Sequence, residues 1–223
     1  MADVFAELDE VMRQDRAERF WKENGRTLIV AVLLSILLTA AISGYRSWNT
    51  HVQEKQTDAL LSALDVDAPA EGLIKASEDL RPGLRGIALL NAGSAYLKDD
   101  KKEEALKAYS QAAEDKSIPA DLRDLAVLME VNLTAATAEN KNDLLEKLKS
   151  VSGNEKSPWR YHAHLLSASI FAHTAQDYKA AQEELKTIIA AEEIVPSLKA
   201  KAQALSQVYA LESADAPQEG AQP

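Results

Sequence analysis

LLNAGSAYLKDDKKEEALKAYSQA, at residues 89–112, predicts two helices joined by a short polar turn. Gly93 and Ala105 are small where two antiparallel helices would cross, and the aromatic residues Tyr96 and Tyr109 stand close to them in the sequence. Small side chains let two helix backbones approach each other, and large ones fill the volume beside the crossing. This stretch therefore predicts a helical hairpin with a close crossing.

The spacing of small and large residues in this stretch resembles the tetratricopeptide repeat signature. The positions that carry the resemblance are Leu89, Gly93, Tyr96, Ala105, Tyr109 and Ala112. A weaker second copy, which lacks the glycine and both tyrosines, keeps the spacing at Leu165, Ala168, Ala172, Ala181, Leu185 and Ile188. Residues 119–151 leave room for a degenerate repeat between the copies, and 46–80 for another. Because such units cannot bury their apolar faces alone, we expect an all-α solenoid.

Helices outside this stretch are predicted from apolar periodicity and from residues that begin or end helices. The full predicted set after the first 45 residues is 46–66, 70–80, 84–98, 101–115, 119–137, 141–151, 158–174, 177–191 and a terminal capping helix at 196–211. Asn140 and Ser157-Pro158 are typical helix starts, and Gly25 is expected to end a cytoplasmic helix. Residues 213–223 lack apolar periodicity and are expected to be disordered.

An uncharged run, TLIVAVLLSILLTAAISGY, occupies residues 27–45 between Arg26 and Arg46. A helix of this length reaches roughly 28 Å, close to the ~30 Å hydrocarbon core of a bilayer. A helix also satisfies its own backbone hydrogen bonds, as lipid requires. The sequence therefore predicts one transmembrane helix at 27–45.

The basic residues around this run predict its orientation. Five Lys or Arg residues precede the run, whereas Arg46 and Lys55 alone follow it before Lys75. Since Lys and Arg concentrate on the cytoplasmic side, residues 1–26 are expected in the cytoplasm and residues 46–212 across the membrane. A cleaved signal peptide is the alternative, with a small-residue site at 41–43. The uncleaved signal anchor is favoured because both the charged leader and the apolar run are too long for a signal peptide.

Composition argues against several function classes. The net charge of −10 disfavours nucleic-acid binding, which needs a basic surface. Cysteine is absent, so neither disulfides nor thiolate metal sites are expected. The four histidines are His51, His162, His164 and His173, and the pair two residues apart would point in different directions on a helix. No phosphate-binding loop or nucleophile motif is visible, so we expect a protein that is not an enzyme and has no cofactor or metal.

The residues flanking the uncharged run suggest a family. Residues 19–26, RFWKENGR, and 44–48, GYRSW, resemble the membrane-proximal sequence of the YfgM-like ancillary SecYEG translocon subunits. The resemblance implies a bacterial inner-membrane protein with a single span and a periplasmic tetratricopeptide-repeat-like domain. It also implies a scaffold or adaptor that links the SecYEG translocon to a periplasmic chaperone of prolyl-isomerase-like type and assists the folding of exported proteins.

Two other functions remain open on the sequence alone. The domain could bind unfolded exported proteins as a chaperone in its own right. Alternatively, the same architecture could serve as a membrane-anchored adaptor of envelope or division machinery without association with the Sec channel.

Two surfaces are candidates for partner contacts. The first helix of each repeat pair is expected to line an apolar groove with Ile87, Leu90, Asn91, Ser94, Leu97, Leu166, Ile170 and His173. Apart from Asn91, the Lys/Asn arrangement that clamps a peptide carboxylate is missing, so a salt-sensitive grip on an acidic peptide end is not expected. The alternative is that the helix at 46–66 or the capping helix fills this groove.

The second surface is a stripe of small and hydroxylated residues on one face of the span, Ala31, Ser35, Thr39 and Ser43. Such a stripe permits close approach of another transmembrane helix. Alternatively, the hydroxyl groups bond to carbonyl groups four residues earlier in the same helix.

Overall fold

The computed structural model describes residues 2–137 and 140–215. Within these ranges the chain is all-α, as predicted, with nine α-helices and one π-helical turn. In chain order these are α1 (Ala2–Leu64), α2 (Pro69–Asp79), α3 (Pro82–Lys98), α4 (Lys102–Glu114), α5 (Ala120–Thr134), α6 (Lys141–Ser152), α7 (Arg160–Ile170), the π-helical turn (Phe171–Ala175), α8 (Tyr178–Ala190) and α9 (Pro196–Asp215). The chain divides into two compact units, residues 1–55 and 56–223.

The first unit consists of the N-terminal part of α1. Between Phe20 and Leu64 the helix is long and apolar enough to cross a membrane, with a mean hydropathy of 2.4 over its most apolar window, none of which is buried. The prediction that Gly25 ends a helix is wrong, because α1 continues through it. Glycine in a helix interior costs only about 1 kcal/mol, and the uncharged run that follows continues the hydrogen-bond ladder.

The second unit is a stack of helical hairpins in which successive helices pack on one another, as in the predicted solenoid. Its core is a series of apolar clusters rather than one centre. Leu60 at the end of α1 packs with Leu73, Leu80, Ala88 and Ala92. Further clusters join α3, α4 and α5, then α5, α6 and α7, and finally α7, α8 and α9. Each layer therefore buries the faces that its neighbours leave open.

Hairpin α3–α4 is the predicted close crossing. All six residues of the repeat signature are buried there, and Tyr96, Ala105 and Tyr109 share one cluster. A Cβ atom added to Gly93 would lie 2.5 Å from the Tyr109 ring, which is closer than real Cβ contacts. Glycine is therefore required at this position by the approach of the ring. Burial also raises the pKa of the Tyr109 hydroxyl above its ordinary value.

The weaker second copy packs in the same way at the C-terminal end. Ala168, Ala172, Ala181, Leu185 and Ile188 are buried together with two residues of α9, Ala202 and Tyr209. The spacing of small residues therefore predicts the packed positions of this hairpin even without the glycine and the tyrosines.

Helix ends differ from the sequence-based expectations by a few residues. Asn140 caps α6, as predicted, with Oδ1 accepting from the Asn142 N–H at 3.1 Å. Helix α7 begins at Arg160, two residues later than predicted, and the Ser157 hydroxyl accepts from the Trp159 N–H at 3.3 Å. Helix α9 extends to Asp215, so residues 213–215, expected to be disordered, are helical. Residues 216–223 of the predicted tail lie outside the described residues.

Candidate functional site

A cavity of about 410 Å³ lies between α5, α7 and α9. These three are every second helix of the stack, so their side chains meet on one side of it. The lining is largely apolar and consists of Leu125, Leu128, Met129, Asn132, Trp159, His162, Leu165, Leu166, Ser169, His173, Lys201, Leu205 and Tyr209. We call this space the α5–α7–α9 cavity. Its volume falls in the ~300–1,000 Å³ range of ligand pockets.

The apolar wall of the cavity is partly fixed by the core. Leu128 is buried with Leu144 and Leu148 of α6, and Leu166 and Trp159 pack against the same cluster. The Trp159 indole N–H donates to the Asp121 carbonyl oxygen at 2.9 Å, which fixes the ring on α5. This wall is therefore preformed. Met129, by contrast, is 39% exposed and accessible to a bound molecule.

One polar part of the lining is built around Tyr209. Its hydroxyl lies 3.2 Å from His173 Nε2, and the His173 and Tyr209 rings meet edge to face. Burial raises the pKa of the Tyr209 hydroxyl, while its hydrogen bond with Ser169 opposes the rise. The hydroxyl therefore stays protonated at neutral pH and provides a hydrogen-bond donor at this end of the cavity.

The other polar part is basic. Burial first, and then the positive charge of Lys201, lower the pKa of His162 below its ordinary value. The His162 ring also meets the Trp159 ring edge to face at 5.4 Å between centroids. Among the residues that the structure describes, no aspartate or glutamate lines the cavity. Lys201 is therefore the one lysine, arginine, aspartate or glutamate among the described lining residues.

The predicted groove residues fall into two groups in the structure. Ile87, Asn91, Ser94 and Leu97 on α3 are exposed and Leu90 is half-buried, but none of them lines the α5–α7–α9 cavity. The Asn91 side-chain amide donates to the Ile87 carbonyl oxygen at 2.8 Å. Leu166 on α7 and His173 in the π-helical turn that follows it line the cavity. Ile170 is only 2% exposed and packs in the core cluster with Leu128.

The sequence analysis missed the residues that α5 and α9 contribute, among them Met129, Lys201 and Tyr209. Helix α9 was expected to cap the solenoid or, in the alternative, to fill the groove, and in the structure it forms one wall of the cavity. The order of the helices could have indicated this. Helix α7 is the first helix of the pair α7–α8, and α9 comes where the first helix of the next pair would be.

The predicted stripe on the span lies on exposed residues of α1. The Thr39 hydroxyl donates to the Ser35 carbonyl oxygen at 2.8 Å. This bond is the intrahelical alternative considered from the sequence, and Thr39 therefore presents its methyl group and remaining acceptor to a neighbour.

A second cavity, of about 720 Å³, lies between α6, α7 and α8 and has a mixed charged lining. His164 Nδ1 pairs with Glu184 at 2.5 Å there. In the part of the chain that the structure describes, no group of three or more His, Cys, Asp or Glu side chains is arranged to hold a metal ion.

Comparison with known proteins gives one weak relative. No family model and no solved structure match the chain. The chain is similar to the ancillary SecYEG translocon subunit of Haemophilus influenzae, with 27% identity over 117 residues. The aligned part is 48% of this chain and 52% of that protein, so the chain spans about half the length of the relative it matches.

Proposed function

We propose that this protein is a non-enzymatic, single-pass inner-membrane adaptor that associates with the SecYEG translocon, as a member of the YfgM-like family. The observation that carries the proposal is the similarity to a protein named ancillary SecYEG translocon subunit. An N-terminal helix that is long and apolar enough to span a membrane agrees with it. In this proposal residues 1–26 are cytoplasmic and the helical stack is periplasmic, where it holds a prolyl-isomerase-like chaperone close to the channel.

The α5–α7–α9 cavity gives this adaptor a place to bind a protein segment. Its wall is apolar and preformed, and its few polar groups are a lysine, two histidines, a tyrosine, a serine and an asparagine. Such a lining suits an apolar segment of a partner or of an unfolded exported protein. Binding of exported proteins by the domain itself is the second candidate function, and this same cavity favours it.

Crosslinking from the span tests the association with the translocon. A photoreactive residue at Ser35, on the small-residue stripe, is expected to trap a SecYEG subunit in intact membranes. The same residue at Leu37 lies about 200° around the helix and is expected to trap less of it. Failure of both positions to trap any SecYEG subunit would contradict the Sec proposal. Equal trapping would keep the association and reject the stripe as its contact.

Thiol labelling tests the orientation, and the absence of cysteine makes it simple. Single variants Glu18→Cys and Glu103→Cys are treated with a membrane-impermeant maleimide in spheroplasts. We expect Glu103→Cys to be labelled directly and Glu18→Cys only after the membrane is permeabilised, because basic residues precede the span. The reverse pattern would invert the topology, and release of the labelled domain as a soluble fragment would indicate signal cleavage.

A further inference from the structure

The charge of the α5–α7–α9 cavity is opposite to that of the chain around it. The whole sequence contains 35 acidic and 25 Lys or Arg residues, yet the described residues that line the cavity include one lysine and no acid. The charge of Glu212 acts on Tyr209 at one end of the cavity, but Glu212 is not among the described lining residues. Lys201 lies among leucines and aromatic rings.

Lys201 is available to a bound group. Its side chain is exposed on α9, and it makes no ion pair among the residues that the structure describes. Lys199, two residues earlier, differs because its ammonium group donates to the Ala191 carbonyl oxygen at 3.1 Å. The charge at Lys201 therefore remains unneutralised by the protein's own side chains in this part of the chain.

Lys201 also lies close to His162, which lines the same cavity. The ammonium group is close enough to His162 to disfavour the protonated imidazole. A carboxylate placed beside both groups would be attracted by the lysine and would favour the protonated form of the imidazole. The apolar wall formed by Leu128, Leu165 and Leu205 adjoins this basic corner and would contact the hydrophobic neighbours of such a carboxylate.

We infer that the α5–α7–α9 cavity binds an apolar protein segment that carries an aspartate or glutamate, with its carboxylate at Lys201. The inference rests on the proposed function, in which this cavity takes a protein segment, and adds the chemistry of that segment. It differs from the expectation from the sequence, which concerned a grip on an acidic peptide end, because Lys201 comes from α9 and not from the repeat pair that was compared with the carboxylate clamp.

Matched peptides test the inference with the full chain in lipid nanodiscs. The probes are fluorescent heptapeptides of leucine and alanine whose central residue is aspartate, asparagine or lysine, and empty nanodiscs correct for binding to lipid. By fluorescence anisotropy we expect the aspartate peptide to bind roughly fivefold more tightly than the asparagine peptide, and the lysine peptide most weakly. Raising salt from 0.1 M to 1 M should reduce this preference, since the Debye length falls from about 10 Å to about 3 Å.

Variants assign the preference to Lys201. Lys201→Gln should make the aspartate and asparagine peptides bind equally, and Lys201→Glu should favour the lysine peptide. Lys179→Gln, which removes an exposed lysine of α8 outside the cavity, should change nothing. Met129→Asn should weaken all three peptides while the unfolding midpoint holds, because Met129 lines the cavity and is already exposed.

The outcomes separate the inference from the function on which it rests. Equal binding of the aspartate and asparagine peptides, or a preference that survives Lys201→Gln, overturns the inference and leaves an apolar peptide site. Absence of binding by all three peptides, or binding that Met129→Asn does not weaken, overturns the peptide-binding cavity as well. Neither result affects association with the translocon through the span.

Discussion

Gly93→Ala is expected to lower the free energy of unfolding by up to about 2 kcal/mol, although alanine is the better helix former. The added methyl group would lie 2.5 Å from the Tyr109 ring. The ring is buried at 3% exposure and cannot swing into solvent, so the two helices must separate. Overpacking of this kind costs about 1–3 kcal/mol, and the gain in helix propensity over glycine returns about 1 kcal/mol. Gly93→Leu should cost more, since three further carbon atoms need space.

Gly83→Ala is the matched control for this prediction. Gly83 lies in the first turn of the same helix, α3, and a Cβ atom there would meet nothing within 4 Å. The variant should unfold at the same point as the parent protein or slightly above it. Thermal and urea unfolding of the full chain in detergent, followed by circular dichroism, compare the two substitutions. Equal midpoints for Gly93→Ala and Gly83→Ala would show that the crossing is not closely packed.

The sequence predicted this hairpin because its signals are local. The contacts of the hairpin join residues of two consecutive helices, such as Gly93 and Tyr109, so they form as soon as these two helices fold back on each other. The other helices were also found, since caps such as Asn140 and the apolar periodicity act within a few residues. Gly25 was misinterpreted because a glycine ends a helix only where the chain has another conformation to adopt, and an apolar helical run follows it directly.

The cavity was only partly predictable because it depends on how hairpins stack. Leu166 and Ile170 are four residues apart and share one face of α7 by periodicity. In the structure the first lines the cavity and the second lies in the core, because α5 and α6 cover that part of the face. Lys201 is more than 30 residues from either one, and no local pattern relates it to them. Such placements follow from the way the hairpins stack, which local spacing in the sequence does not show.

Lys147→Met is expected to destabilise the protein by roughly 1–3 kcal/mol, because it removes the partner of a buried carboxylate. The Glu130 side chain on α5 is 11% exposed and bonds to the Lys147 ammonium group on α6 at 2.5 Å. Methionine keeps most of the aliphatic stem, so the change removes mainly the charge. A buried charge left without its partner pays its full desolvation cost, although half-exposure of the lysine moderates the effect here. Urea unfolding of the full chain measures the change.

An exposed ion pair in the same stack provides the comparison. Lys186 and Glu183 on α8 pair at 2.6 Å with both side chains more than 60% exposed, so Lys186→Met should change stability by no more than about 0.5 kcal/mol. The double variant Glu130→Met with Lys147→Met should recover most of the loss, since an apolar pair needs no charge partner. If Lys147→Met and Lys186→Met had equal effects, the α5–α6 pair would be as dispensable as a surface one. A larger effect at Lys147 that the double variant reverses would show that the loss comes from the buried Glu130 carboxylate, which needs Lys147 as its charge partner.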